Sequence, residues 1–155
     1  MTRAYFSFGT NLGDRADYLR RGVTIVAAAD PWRLSAVYET DPVGGVAQDD
    51  FWNCVLEIET VASPDELFAR LVDAETAADR RRDVRWGPRT LDVDLIWIDD
   101  VSVESEHLVV PHPRVWERRF VLVPWAELRP DLVSDEALTR ASGEVRRLGT
   151  LSELH

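Results

Sequence analysis

Arg85-Trp86-Gly87-Pro88-Arg89-Thr90-Leu91-Asp92-Val93-Asp94-Leu95-Ile96 sets two carboxylates two positions apart inside a run that otherwise reads as a β-strand. Aspartate is a poor strand residue, so a pair of them there needs a reason. In an extended chain side chains alternate, which puts Asp92 and Asp94 on one face and Leu91, Val93 and Leu95 on the other. Two oxygen ligands on one rigid face, with arginines just upstream, suit Mg²⁺ carrying a nucleotide polyphosphate. The spacing alone fits equally well a half-exposed strand whose outer face is acidic.

Working outward, residues 4–9 read as a short strand that enters a helix through Gly9-Thr10-Asn11-Leu12-Gly13-Asp14. Leu12, Leu19, Val23 and Val26 recur at helical spacing, so an amphipathic helix is expected from about Asp14 to Ala29, stopped by Pro31. Residues 33–39 and 52–60 are β-rich, with Pro42, Gly44 and Gly45 in the loop between them. Ser63-Pro64-Asp65-Glu66 is a helix start: a serine cap, proline in the first turn and acids at the positive end of the dipole. That helix should run to about Ala78, and an arginine-rich loop then leads to a strand over residues 90–98. Strand, helix, strand, strand, helix, strand is the ferredoxin-like βαββαβ order. A hairpin over 99–110, a Pro-His-Pro loop and helices near 114–128 and 135–147 should follow. The unbroken apolar run Leu95-Ile96-Trp97-Ile98 implies cover on both faces. The expected fold is therefore α+β, an antiparallel-dominated sheet with helices on both faces, in a single domain over residues 1–155.

Charge narrows the function classes. The formal net charge of −10 argues against a nucleic-acid partner, since phosphate backbones are bound through excess positive charge. Yet residues 80–89 carry five arginines against Asp83, a local +4, and residues 111–119 carry Arg114, Arg118 and Arg119 against Glu117, a local +2, leaving −16 for the rest. A compact basic patch on an acidic body fits a small polyanion; a solvated basic loop is the plain alternative. All 18 basic residues are arginine, which excludes a Walker-type phosphate loop, the protein-kinase strand lysine and Schiff-base chemistry. Arginine's planar fork would have to do any phosphate neutralisation. Three histidines and the lone Cys54 make no convincing zinc set, and one cysteine forms no internal disulfide. Neither a signal-like nor a membrane-spanning stretch is present, so a soluble cytoplasmic protein acting away from membranes is expected; a monomer is the expected state, though nothing in the sequence fixes it.

The Asp-x-Asp segment resembles the signature of the 6-hydroxymethyl-7,8-dihydropterin pyrophosphokinase family. So, in the same order, do Phe8-Gly9-Thr10-Asn11-Leu12-Gly13-Asp14, Val37-Tyr38-Glu39-Thr40-Asp41-Pro42-Val43-Gly44, Phe51-Trp52-Asn53, Val110-Pro111-His112-Pro113-Arg114 and Arg118-Arg119-Phe120. Several motifs in register, spanning residues 4 to about 130, are far harder to obtain by chance than one. The resemblance implies ATP and the pterin alcohol as substrates, AMP and the pterin diphosphate ester as products, and two Mg²⁺ ions with the ATP. It implies Asp92 and Asp94 as metal ligands and catalytic residues, together with Arg80, Arg82 and Arg89. For ATP it implies Glu75, Arg82, Arg85, Trp86, Arg89, Leu95, His112 and Arg118; for the pterin, Phe51 and Phe120 as stacking surfaces and Asn53 as reader of the ring edge. Thr40, Asp41, Val43 and Asp92 complete the pterin set. On composition alone Phe51 and Phe120 would read as ordinary core. Arg81, Arg114 and Arg119 read as solvated or structural.

Three positions depart from the family pattern: Thr10 where serine is commoner, Val72 where a polar residue is frequent near the nucleotide, and Asp79 where glycine is frequent. Val72 leaves contacts to the base open, but not the handling of phosphate. The segment 79–87 is expected to close over bound nucleotide and pterin. Two rivals share this topology: a ferredoxin-like nucleotide- or pterin-binding module without turnover, and an RNA-binding module, which the acidic balance disfavours.

Overall fold

β1 (Thr2–Thr10) turns into α1 (Arg15–Ala27), and three strands follow: β2 (Trp32–Leu34), β3 (Val37–Thr40) and β4 (Phe51–Thr60). α2 (Pro64–Ala77) and β5 (Asp92–Ile98) complete the βαββαβ order. The chain continues through a hairpin of β6 (Val103–Glu104) and β7 (Val109–Val110), a 3-10 turn at Val115–Glu117, α3 (Arg119–Leu128), α4 (Asp135–Arg140) and β8 (Arg146–Gly149). The computed structural model describes residues 1–41, 50–78 and 90–154. The helix starts form as their caps dictate. The Asp14 carboxylate accepts the Asp17 N–H, and Ser63 and Glu66 close a reciprocal capping box with Pro64 at the first turn.

The main sheet runs β5-β1-β4-β3-β8, with β2 also on β4, and every strand pair is antiparallel. This is the ferredoxin-like arrangement. Alternation along β1, β4 and β5 divides the apolar residues between two clusters. Phe6, Phe8, Cys54, Leu56, Val93 and Leu95 pack under α1 and α2; Tyr5, Val55 and Ile96 pack against Val121, Leu122 and Trp125 of α3. Helices thus cover both faces, as the continuous apolar run in β5 requires. That run also contains a bulge: Tyr5 pairs with Trp97 and Phe6 with Leu95, which leaves Ile96 as the extra residue. The bulge keeps Asp92, Asp94, Ile96 and Trp97 on the α3 side while Ile98 returns to the other core.

Two expectations need correction. The strand expected over 33–39 is divided into β2 and β3, because the Ser35 hydroxyl accepts the Val55 N–H at 2.9 Å and so takes a ladder position of the backbone. The helix expected over 135–147 ends at Arg140, and residues 146–149 instead form β8 on the free edge of β3. Gly143, at φ 115, adopts a conformation no helix continues. Its successors leave extended.

A polar knot ties the far end of the α3 side together. Glu57, buried at 4 % exposure, accepts the Tyr5 hydroxyl at 2.7 Å and both arms of Arg33 at 2.9 and 2.8 Å. Arg129 donates to the Tyr5 hydroxyl at 2.9 Å and also binds Asp99 and Asp131. Burial pushes the Glu57 carboxyl up, but the hydrogen bonds from Arg33 and Tyr5 outweigh it and hold the carboxyl below its ordinary 4.5. Its contribution to stability is therefore complete above that value and lost as pH falls through the lower folded-state value. Glu57→Gln is expected to cost about 2 kcal/mol at neutral pH. Chemical denaturation down through the carboxylate range should also show a shallower acid loss in the variant than in the parent.

Candidate active site

α3 covers only part of its face of the sheet. Where it stops, the strands lie open as the floor of a depression of ≈ 660 Å³. The register builds that floor: Gly9 of β1 stands between Asp92 of β5 and Asn53 of β4, and Ser7 stands beside Asp94. Gly9 is glycine because of what flanks it. A Cβ there would lie 3.2 Å from Asn53 Oδ1 and 4.0 Å from a Phe51 ring carbon. Asn53 is 3 % exposed, and its amide donates to the Thr40 hydroxyl at 2.9 Å, which fixes the side chain over the floor. Phe51, Phe120, Asp41 and Arg118 stand around the rim.

A second depression, of ≈ 570 Å³, opens between α2 and β5, lined by Phe68, Leu71, Val72, Glu75, Thr76, Val93 and Asp94. Asp94 belongs to both depressions. Glu75 accepts the Val93 N–H at 2.9 Å, so the helix grips the strand midway between the two aspartates.

Cationic and imidazole groups gather at Asp94. Arg118 Nη1 lies 3.7 Å from one carboxylate oxygen and His112 Nε2 lies 3.9 Å from the other. The His112 backbone N–H donates to the Ile96 carbonyl at 3.1 Å, which straps its loop to β5. Burial lowers the His112 pKa below the ordinary histidine value; Asp94 opposes that, and Arg118 and Arg114 reinforce it. A neutral imidazole is thereby favoured beside the acid. Arg118 precedes α3, and its guanidinium sits 5.9 Å from the Phe120 ring centre.

Of the residues singled out from sequence, Thr40, Asp41, Phe51, Asn53, Asp92, Asp94, Arg118 and Phe120 all line the first depression. Glu75 lines the second. Leu95 and His112 line neither depression: following Asp94 in an alternating strand, the Leu95 side chain turns into the α1–α2 core at 3 % exposure, and His112 stands beside the Asp94 carboxylate. Val43, Arg80, Arg82, Arg85, Trp86 and Arg89, and the segment 79–87 expected to close, lie outside the described residues. The structure adds Arg114, Glu117 and a wall of residues 142–145 to the first depression. A glycine inside an apolar strand was the available signal for Gly9; nothing local marked the wall. Among the described residues no group of three or more His, Cys, Asp or Glu is placed to hold a metal ion. A carboxylate pair is still the donor set Mg²⁺ uses when phosphate and water supply the rest.

The chain is similar to known proteins of one family. Residues 5–130 match the 7,8-dihydro-6-hydroxymethylpterin-pyrophosphokinase (HPPK) family. A 2-amino-4-hydroxy-6-hydroxymethyldihydropteridine pyrophosphokinase of Bacillus subtilis (strain 168) is 45% identical over 128 residues, 81% of this chain and 77% of that protein. The protein of the same name from Methylorubrum extorquens is 44% identical over 136 residues, 86% of each chain. Among solved structures, the wild-type HPPK-DHPS of Plasmodium falciparum superposes with a TM-score of 0.58 at 12% identity; the match covers 91% of this chain and 42% of that one, a likeness of fold.

The fit around Gly9 is open to a direct check. Gly9→Ala is expected to lower stability by about 1 kcal/mol, because Asn53 must give way and strain its bond to Thr40. Chemical denaturation measures the loss.

Proposed function

We propose, since the chain belongs to the 7,8-dihydro-6-hydroxymethylpterin-pyrophosphokinase family, that it transfers the pyrophosphoryl group of ATP to 6-hydroxymethyl-7,8-dihydropterin. AMP and the pterin diphosphate ester are the products, and the reaction belongs to folate biosynthesis. The observation that carries this reading is the position of Asp94 on the shared border of two depressions, with Asp92 two residues away on the same face.

The first depression suits the pterin. Phe51 and Phe120 offer flat apolar surfaces, and the Asn53 carboxamide offers a donor and an acceptor for the ring edge. The second, with Phe68, Leu71 and Val72, takes the nucleotide, its triphosphate directed toward Asp94. Asp92 and Asp94 hold Mg²⁺, two ions with ATP by the family's pattern, which when bound neutralises and orients the phosphate oxygens. Arg118 adds a fixed positive charge at the same border, and His112, whose pKa burial lowers, stands 3.9 Å from the Asp94 carboxylate. Positioning and charge neutralisation do most of the work, as is usual in phosphoryl transfer. The chain acts as one domain and as a monomer, with no nucleic-acid partner; no helix among its described residues is long and apolar enough to cross a membrane.

Chromatographic separation of AMP from ADP after incubation with ATP, Mg²⁺ and the pterin alcohol tests the reaction. Pterin-dependent AMP is expected, and its absence would leave a binding module without turnover. Asp92→Asn and Asp94→Asn should keep the fold and each lower kcat by at least roughly a hundredfold at limiting Mg²⁺. Near-normal turnover in both would remove the metal assignment.

A further inference from the structure

The wall of the first depression at residues 142–145 connects α4, which has no buried residue, to β8, whose first three residues are exposed. At its start Ala141 is buried in the α3 core and a backbone bridge joins Ser142 to Arg118. At its end one side chain holds it. Arg146 stands opposite Glu39 in the β3–β8 register, and its Nη2 lies 3.4 Å from Glu39, 3.0 Å from Asp41 and 3.3 Å from Asp50 carboxylate oxygens. Asp50 is also held through its carbonyl, which accepts from Arg15 at 2.9 Å.

This clamp lies on the far side of the sheet from the ligand floor. Glu39 pairs with Trp52, whose side chain belongs to the core under α1, whereas Thr40 and Asn53 face the depression. Arg146 itself does not line the depression, but Asp41 does and is bound to it. Isolated exposed ion pairs contribute little. Here the physics differs, because one guanidinium holds three carboxylates together: remove it, and Glu39, Asp41 and Asp50 repel one another without the charge that now lies between them. The displacement would fall on Asp41 and on the wall that β8 carries. The nucleotide depression, on the other side of Asp94, shares neither.

We propose that Arg146 is a positioning residue for the acceptor substrate, setting the width of the pterin pocket from behind the sheet. This rests on the assignment of the first depression to the pterin. Two measurements separate its failure from that of the assigned reaction: calorimetric titration with the pterin alcohol, and steady-state AMP formation. Wild-type protein that binds the pterin but releases no AMP would overturn the reaction alone, and the titration would still decide on Arg146. Arg146→Ala should raise the Kd and KM for the pterin about five- to tenfold while kcat and the KM for ATP stay within about twofold, and Arg146→Lys should recover most of the loss. Should Arg146→Ala fail to fold, Arg146→Gln, which removes the charge and keeps much of the length, is held to the same split. An unchanged pterin Kd in the neutral variant, an equal rise for ATP, or a lysine variant as weak as the neutral one would each overturn the proposal.

Discussion

Nine consecutive residue pairs lock β1 to β4, from Thr2 with Thr60 to Thr10 with Trp52, and the site depends on that register. Side chains in a sheet have a period of two, so a slip of one residue would turn Asn53 into the core and bring Trp52 over the floor. β5 takes its place from β1, its one neighbour in the main sheet among the described residues: Gly9 meets Asp92 and Ser7 meets Asp94. An acid, a gap and an amide thus share one row across three strands. Below them the same strands bury Phe6, Phe8, Leu56 and Val93 in one core, and that burial makes the register costly to lose.

The α3 side of the sheet has two unlike ends. At one, Glu57 is buried among Tyr5 and Arg33, while Arg129 reaches round from the end of α3 to Tyr5 and Asp99. At the other, the acids Asp92 and Asp94 line the first depression, with Arg118 3.7 Å from Asp94. Charge is buried within the fold in the first and borders the depression in the second. α3 and its Trp125 separate them, with Trp97 and Trp116 packed around that ring. A folding element and a chemical element are built from the same residue types. Their difference is exposure: Glu57 is buried at 4 %, whereas the Asp94 side chain is 46 % exposed.

Much of this was readable beforehand because it follows from short-range periodicity. The spacing of Asp92 and Asp94, the Ser63 cap and the apolar stripe of α1 each act through neighbours within a few residues, and each formed where expected. What escaped depends on distant partners. β8 carries two arginines and no alternating apolar pattern, since it is a strand only by virtue of β3's free edge. The wall at 142–145 enters the site through that pairing and has no signature of its own. Leu95, named by family position, turns its side chain into the core because its neighbour Asp94 faces the depression.

The bulge at Ile96 gives β5 two independent phases. Ahead of it, alternation is governed by the ligand floor; past it, by the tryptophan cluster and the helix behind. In an unbroken strand any residue favoured at one end would dictate which face every residue at the other end takes. The extra residue acts as a slip joint between those demands. The aromatic half of the strand is therefore free to vary in sequence without disturbing the acidic half, and a lineage can retune the packing of this domain while its chemistry stays where it is.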